Sequence, residues 1–468
     1  MTSTSVLTNL IPDRRYIGIA ADKLGSDGGV QPGARRTEAG IGAMMPWADK
    51  LWFVNYPDGY PDGEGMGLWS MGNDQVPTLV AEGNYCDAGR IIYSDLLFIG
   101  HWAITTAGVV TAISGFAATD RIAAYAKSGG GLYAMTMGGI IYSVNASTLV
   151  ATVANSNIES SLSITGQSHG KAFWGHPDGI HYLVALNMED GNGRLAAWNK
   201  NTNTWTNLDA NYGSWVEIGG CYEFNQHVFA FGHDDLSGLM WVFDGGTYGT
   251  PKKFRLPLAS DQMKAGYQQE WMRLRAVETE RNLLDHHGMF YQLSPVLTGG
   301  DDGATDFPRM EPIARHMRTI PDYTNWNGRL VLGGNQTSPQ FGNVWPNVGQ
   351  PQSGLLFITL DDIWQWGKPA GSGAWYRNAS VSASDVAWPM LMRGFDKKCL
   401  HFHNNTATAL DILVQVYTNG STAYPYDVIT VAPHSYVHHE IPPAFTADWI
   451  TIVPLSACTD LTAWIAYS

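Results

Sequence analysis

The chain has 468 residues, enough to bury a large core, and a closed all-β repeat architecture of this length needs no second large domain. Its formal net charge of −14, without any block of Lys and Arg, argues against a nucleic-acid or anionic-membrane surface as the main partner. No apolar run reaches the roughly 18 to 20 residues of a spanning helix. The start, MTSTSVLTNLIPDRRY, also lacks the basic and apolar regions of a secretory signal, so a cytoplasmic location is the expectation unless the chain has been trimmed.

In chain order, the first forty residues are Gly-rich and lead into the first clear strand, Leu51 to Asn55. Strand-like runs follow at 67–71, 91–100, 131–137, 140–144, 180–186, 194–198, 227–232, 239–243, 289–293, 329–332 and 355–360. Glycine turns such as Gly129-Gly130-Gly131 and Gly333-Gly334-Asn335 separate them. Two segments share a strand, turn, strand-with-tryptophan form, and their first histidines, His181 and His227, lie 46 residues apart. That spacing fits a propeller blade of about 40 to 50 residues and predicts roughly seven blades between Tyr16 and Gly394. A double β-sandwich is the competing arrangement. Asp261 to Arg281 is the one stretch where a helix competes with strands. From about residue 395 the texture changes to short alternating segments, LHFHN, LDILVQVYT, YDVITV, YVHHEIP, WITIVPL and LTAWIAYS, which predict a small β-sandwich. The predicted division is therefore a propeller over 1–394 and a β-sandwich module over 395–468. Asp362 to Pro389, with Trp364, Trp366, Trp375 and Trp388, is expected to complete the last blade and pack the connection.

One stretch concentrates charge in a chain where only 15% of residues carry any: QQEWMRLRAVETERNLLDHHGMFYQL, from Gln268 to Leu293. Alternation puts Trp271, Arg273 and Arg275 on one strand face, and Met272, Leu274 and Ala276 on the other. His287-Gly288 reads as a turn. Arginines on a buried face need carboxylates or a wet cavity, so the stretch is either the wall of a polar site or an internal ladder with Glu278, Glu280 and Asp285.

Motifs for other chemistries are absent. The sequence holds no GxSxG elbow, no phosphate-binding GxxxxGK[ST] and no HExxH. Cys86, Cys221, Cys399 and Cys458 form no CxxC; Cys399 and Cys458 either pair in the C-terminal module or stay buried thiols. His286-His287 and His438-His439 point to opposite strand faces, which rules out chelation by either pair alone. His401 and His403 share a face, and Asp301 and Asp302 are loop carboxylates able to hold calcium. Neither set identifies a metal site, and no cofactor is expected.

What remains is a set of His, Tyr, Arg and carboxylate residues near strand ends, which a propeller could gather around its axis. His176, His181, Tyr222, His233, Trp271, Arg318, Tyr323 and Trp326 are the expected substrate-binding residues. Arginines that hold a carboxylate or sulfate, together with stacking aromatics, suit acidic or highly hydroxylated carbohydrates.

The stretches GAMMPWADKLWFVNY, EWMRLRAVETERNLLDHHGMFYQL, HMRTIPDYTNWNGRLVLGG and DDIWQWGKPAGSGAWY resemble those of a broad group of bacterial propeller proteins with a small C-terminal β module. The plan is also similar to propeller-type polysaccharide lyases such as the ulvan lyases, an architectural likeness without aligned catalytic motifs. In that family histidine and tyrosine act as base and acid while arginine neutralises a uronate. The resemblance implies cleavage of a poly- or oligosaccharide by β-elimination. Protons would then be exchanged by His286 or His287 with Tyr291, or by His316, and Arg273 and Arg275 would stabilise the enolate. Hydrolysis by Glu278 and Glu280, or Asp285, is the alternative. A non-catalytic carbohydrate-binding or particle-surface protein is the third reading.

Overall fold

The computed structural model describes residues 15–18, 39–57, 67–83, 89–165, 168–188, 193–209, 213–220, 227–244, 247–259, 272–278, 281–294, 307–316, 318, 320–336, 354–418 and 420–468. Nearly all of them lie in strands or in the turns between strands. The first antiparallel unit comprises β2 (Ala39–Trp47), β3 (Lys50–Pro57), β4 (Gly67–Met71) and β5 (Pro77–Glu82). The second comprises β6 (Arg90–Tyr93), β7 (Leu96–Ile99), β8 (Trp102–Thr105) and β9 (Val110–Ala112). The third comprises β10 (Ile122–Ser128), β11 (Gly131–Thr136), β12 (Ile141–Asn145) and β13 (Val150–Asn155), and the fourth β14 (Ser168–Gly175), β15 (His181–Met188), β16 (Arg194–Asn199) and β17 (Thr204–Asp209). The fifth is β18 (Ser214–Gly220), β19 (Val228–His233), β20 (Gly238–Asp244) and β21 (Thr247–Leu256). The sixth is β22 (Arg273–Glu278), β23 (Arg281–His286), β24 (Met289–Leu293) and β25 (Met310–Arg315).

The seventh unit is closed by the two ends of the chain region. Strands β26 (Tyr323–Trp326), β27 (Arg329–Gln336) and β28 (Gly354–Ile358) receive β1 (Arg15–Gly18) as their outermost strand, with Arg15 opposite Phe357. The first strands β2, β6, β10, β14, β18, β22 and β26 touch one another in sequence, and β26 touches β2 again. A ring in which the inner strands close on themselves is a β-propeller. Separate apolar clusters fill the gaps between units, for example Ile41, Met44, Leu51 and Phe53 against Val331, Leu355 and Phe357 where the ring closes. Burial on both faces explains why middle strands such as β19, VFAFGH, read as near-continuous apolar runs in the sequence.

Local chemistry agrees with this plan. His181 and Val228, the residue after His227, each open the second strand of a blade, so the 46-residue spacing is the blade repeat. Asn327 and Gly328 have φ of 51° and 70°, and His287 and Gly288 have φ of 47° and 81°; both pairs make the tight turns that left-handed residues favour between antiparallel strands. Arg273–Glu278 is strand rather than helix, and the preceding residues 260–271 lie outside the described set. Gly333-Gly334-Asn335 makes no turn but lies within β27, where a Cβ on Gly333 would come within 2.8 Å of Met44 Cε.

The C-terminal strands form two sheets over one core. Strands β29 (Gly371–Val381), β36 (Cys458–Tyr467), β31 (Lys398–Asn404) and β34 (Ser435–Ile441) make one sheet. Strands β30 (Met390–Leu391), β35 (Trp449–Pro454), β32 (Leu410–Tyr417) and β33 (Tyr424–Val431) make the other, which joins β21 of the fifth blade through Arg255 and Met390. β29, which lies in the Asp362–Pro389 stretch expected to complete the last blade, pairs with the C-terminal strand β36 instead, and β30 pairs with β35. Trp375 is accordingly buried in the module core. Cys399 and Cys458 are free thiols, because the ladder sets Cys399 opposite Ala466 and Cys458 opposite Val381.

Candidate axial site

The inner strands carry the polar site. A cavity of about 230 Å³ lies among β6, β10, β14, β18 and β22, lined by Arg90, Lys171, Trp174, Glu217, Arg273 and Arg275 among others. Four of these side chains are cationic and one is a carboxylate. Lys171 and Glu217 each sit among apolar residues, in HGKAFW and SWVEIGG, whereas Arg273 and Arg275 share one strand, RLRAVE.

A recurrent irregularity marks these first strands and aims one of the charges, Lys171. In β2, β10, β14, β18 and β22 the pairing register with the second strand slips by one residue. A bulge re-aims the extra residue. In β14 the slip falls between Gly170 and Ala172, so Lys171 is the bulged residue. Its side chain belongs to the cavity wall although the residue is only 3% exposed.

The arginines are held by carboxylates from neighbouring blades. Arg275 Nε donates to Asp322 Oδ1 at 2.6 Å, and its Nη1 donates to Glu217 Oε2 at 3.1 Å. Arg90 Nε donates to Asp322 Oδ2 at 2.8 Å, and the Met44 backbone N–H donates to the same oxygen at 2.8 Å. Arg273 Nη1 donates to the Met272 carbonyl at 2.7 Å and stands 4.0 Å from Glu217 Oε2. Four blades are thus tied together by one ionic lattice, because Asp322 precedes β26, Glu217 lies in β18, Arg90 in β6 and Arg275 in β22.

Burial by itself would raise the Asp322 carboxyl, but Arg275 and Arg90 outweigh it and hold the group at about 2. Burial disfavours the Arg275 charge, yet Asp322 and Glu217 overcome that and raise its pKa above the ordinary value. For Arg90 burial wins: its pKa falls, with Asp322 opposing and Arg275 adding to the fall.

The sequence-predicted residues divide sharply around this lattice. Arg273 and Arg275 line the cavity. Among the described residues their ion-pair partners are Glu217 and Asp322, which come from other blades and stand outside the expected ladder. Asp285 instead accepts from His316 Nε2 at 3.1 Å, and burial raises its carboxyl despite that histidine. Tyr291 is fully buried and donates to the Pro257 carbonyl at 2.8 Å, far up the blade core. Burial raises its phenol well above the ordinary value.

His286 and His287 are buried between the fifth and sixth blades. His286 Nε2 meets the Gly232 carbonyl at 3.0 Å, and the His287 ring lies 4.6 Å from that of His233. The two adjacent histidines do not point apart, because His287 leaves the strand for the left-handed turn, and their rings lie 4.8 Å apart. His176 and His181 share Asp178, at 3.3 and 2.6 Å. His176 lies in the turn between first and second strands, His233 at the end of a second strand, so the histidines do not occupy equivalent points of their blades.

The Tyr323 hydroxyl lies 2.6 Å from the carbonyls of both Arg273 and Leu283, which share its one proton, and it serves as a peg between blades. Trp326 packs on Phe357 in the core, and Arg318 donates its backbone N–H to His316 Nδ1. Tyr222, Trp271, Glu280 and the Glu278 side chain lie outside the described residues. Among the described residues no group of three His, Cys, Asp or Glu side chains is placed to hold a metal ion. Sequence reasoning missed Arg90, Lys171 and Glu217 as members of the site. The signal was present: each is a lone charge in the apolar first strand of a blade.

Fold and cavity together define a β-propeller with an axial cationic site. No protein-family model matches the chain, and no curated protein matches it. Among solved structures, the Dos1 propeller is similar at a TM-score of 0.40 and 9% identity, over 68% of this chain and 77% of that one. YCF48 from Cyanidioschyzon merolae is similar at a TM-score of 0.39 and 11% identity, over 69% and 97%. YCF48 bound to D1 peptide is similar at 0.40 and 12%, over 75% and 97%. The likeness is one of propeller fold, and no ligand or activity is carried over from it.

Proposed function

We propose that the chain binds an acidic carbohydrate, taking one carboxylate- or sulfate-bearing sugar of a poly- or oligosaccharide into the axial cavity. The carrying observation is the charge of the wall: among the described residues Arg90, Lys171, Arg273 and Arg275 line it against one carboxylate, Glu217, in a chain of net charge −14. Guanidinium groups already fixed by Asp322 and Glu217 bind an anion without a large ordering cost. The volume of about 230 Å³ lies below the roughly 300–1,000 Å³ of pockets for drug-sized ligands, which suits one sugar unit rather than a buried chain. Trp174 in the wall offers a ring face beside the cations.

Binding without cleavage is the reading favoured over elimination. His286, His287, Tyr291 and His316 are engaged within the blades, so the proton-transfer set that elimination would use does not face the cavity. The test is calorimetric titration with oligouronates, sulfated oligosaccharides and neutral oligosaccharides, together with absorbance for an unsaturated uronate and a reducing-end assay. Acidic ligands should bind, and Lys171→Met should weaken them at least tenfold. Undiminished binding of acidic ligands by Lys171→Met, or catalytic release of either product, would reject this reading.

A further inference from the structure

We infer that the C-terminal module carries a second carbohydrate site, an aromatic shelf on the outer face of the sheet β29, β36, β31, β34 that stacks against a pyranose ring. The buried face of this sheet, with Leu400, Phe402, Ala463 and Ile465, belongs to the module core. Alternation sends the next residues of the same strands outward. His401 stands opposite Trp464 on one neighbouring strand and His438 on the other, and His403 stands opposite Tyr436.

The outward rings are ordered rather than splayed. Trp464 and His401 lie 4.8 Å apart with planes 5° from parallel. Tyr436 lies 6.0 Å from His401 at 23° and 6.1 Å from Trp464 at 29°. His438 extends the set, 6.1 Å from Tyr436 at 27°. A hydrogen bond of 2.6 Å between His401 Nδ1 and the Tyr436 hydroxyl locks the pair edge to edge. Tyr436 nonetheless remains 49% exposed. Rings fixed before binding lose little side-chain freedom when a ligand arrives.

The chemistry of the face selects the occupant. The face carries aromatic rings, imidazole nitrogens and a phenol hydroxyl, and its outward neighbours Cys399, Thr462, Ala466 and Glu440 supply no large aliphatic side chain for an apolar peptide to pack on. A pyranose matches this alternation, with C–H groups on one face for the rings and hydroxyls at its edge for the imidazoles. Stacked nucleobases would share the ring preference, but their phosphates oppose the net charge of −14. This site does not rest on the axial reading, since it needs no anion.

The test is affinity electrophoresis of the full chain through gels containing soluble β-glucan, xylan, polyuronate or single-stranded DNA. At least one polysaccharide should retard the protein, and Tyr436→Ala and Trp464→Ala should each raise the retardation constant tenfold or more. Lys171→Met, at the axial cavity, should leave retardation by a neutral polysaccharide unchanged. Should Trp464→Ala fail to fold, Tyr436→Ala decides alone, because half of that side chain is already in solvent. Absence of retardation by every polysaccharide, retardation by DNA alone, or wild-type retardation of folded Tyr436→Ala would each overturn the proposal.

Discussion

Buried titratable residues carry the largest single-residue consequences. His286 is withdrawn from water between two blades; burial, joined by His233, pulls its imidazole down to about 4 while its contact with Gly232 opposes. His101 is held at about 4 by burial as well, against the pull of Asp120. Unfolding returns both to the ordinary value near ~6.5, so between those limits the unfolded chain binds more protons. Their contribution to stability is therefore complete above about pH 6.5 and is lost as pH falls through about 4. For His286 the shift corresponds to at most ~3 kcal/mol. Urea unfolding at pH 7, 5.5 and 4 should show a falling midpoint, and His286→Gln should flatten part of that slope. An unchanged slope in the variant would assign the acid sensitivity to other groups. Asp322 behaves in the same sense further down the scale, its contribution being present above ~3.8 and lost towards 2.

At the level of the element, the inner strand with its bulge is the functional unit, and β1 is the strand on which the ring depends. β1 pairs four residues with β28 along its backbone ladder. Each such hydrogen bond contributes about 1 kcal/mol net, so removing residues 1–18 should lower the apparent Tm by roughly 5 °C or more and leave the β28 edge open to other chains. Thermal scanning with size-exclusion chromatography checks both effects; unchanged melting and a clean monomer would show that β1 closes nothing. The strands themselves were legible in the sequence wherever a short apolar run met a turn signal, as at Gly67–Met71 and Met289–Leu293. Arg273 and Arg275 were legible as site residues because two charges in one apolar strand are conspicuous. Glu217, Lys171 and Arg90 were not, since a lone charge in a strand acquires meaning only when the ring brings five such strands together. The histidines misled for the converse reason. They cluster in the sequence near turns, but turns at opposite ends of a blade never meet.

On the scale of the whole molecule, propeller and module share one apolar core rather than touching across a polar seam. Phe254 of the fifth blade packs on Trp449 at 4.7 Å, and the Trp449 indole N–H donates to the Pro308 carbonyl at 3.3 Å. A chain ending at Pro369 would leave the apolar residues of β21 and β24 facing water, so it should bind a hydrophobic dye and aggregate. A monodisperse truncated propeller that melts like the full chain would refute the shared core. Ring closure carries a further consequence for the order of events in synthesis. β1 is made first, yet its partner β28 lies about 340 residues later, which at ~5–20 residues per second takes roughly 20 to 70 s to emerge. For that whole interval the founding segment of the last blade waits without a mate, and the ring can shut only when the ribosome has finished nearly everything between them.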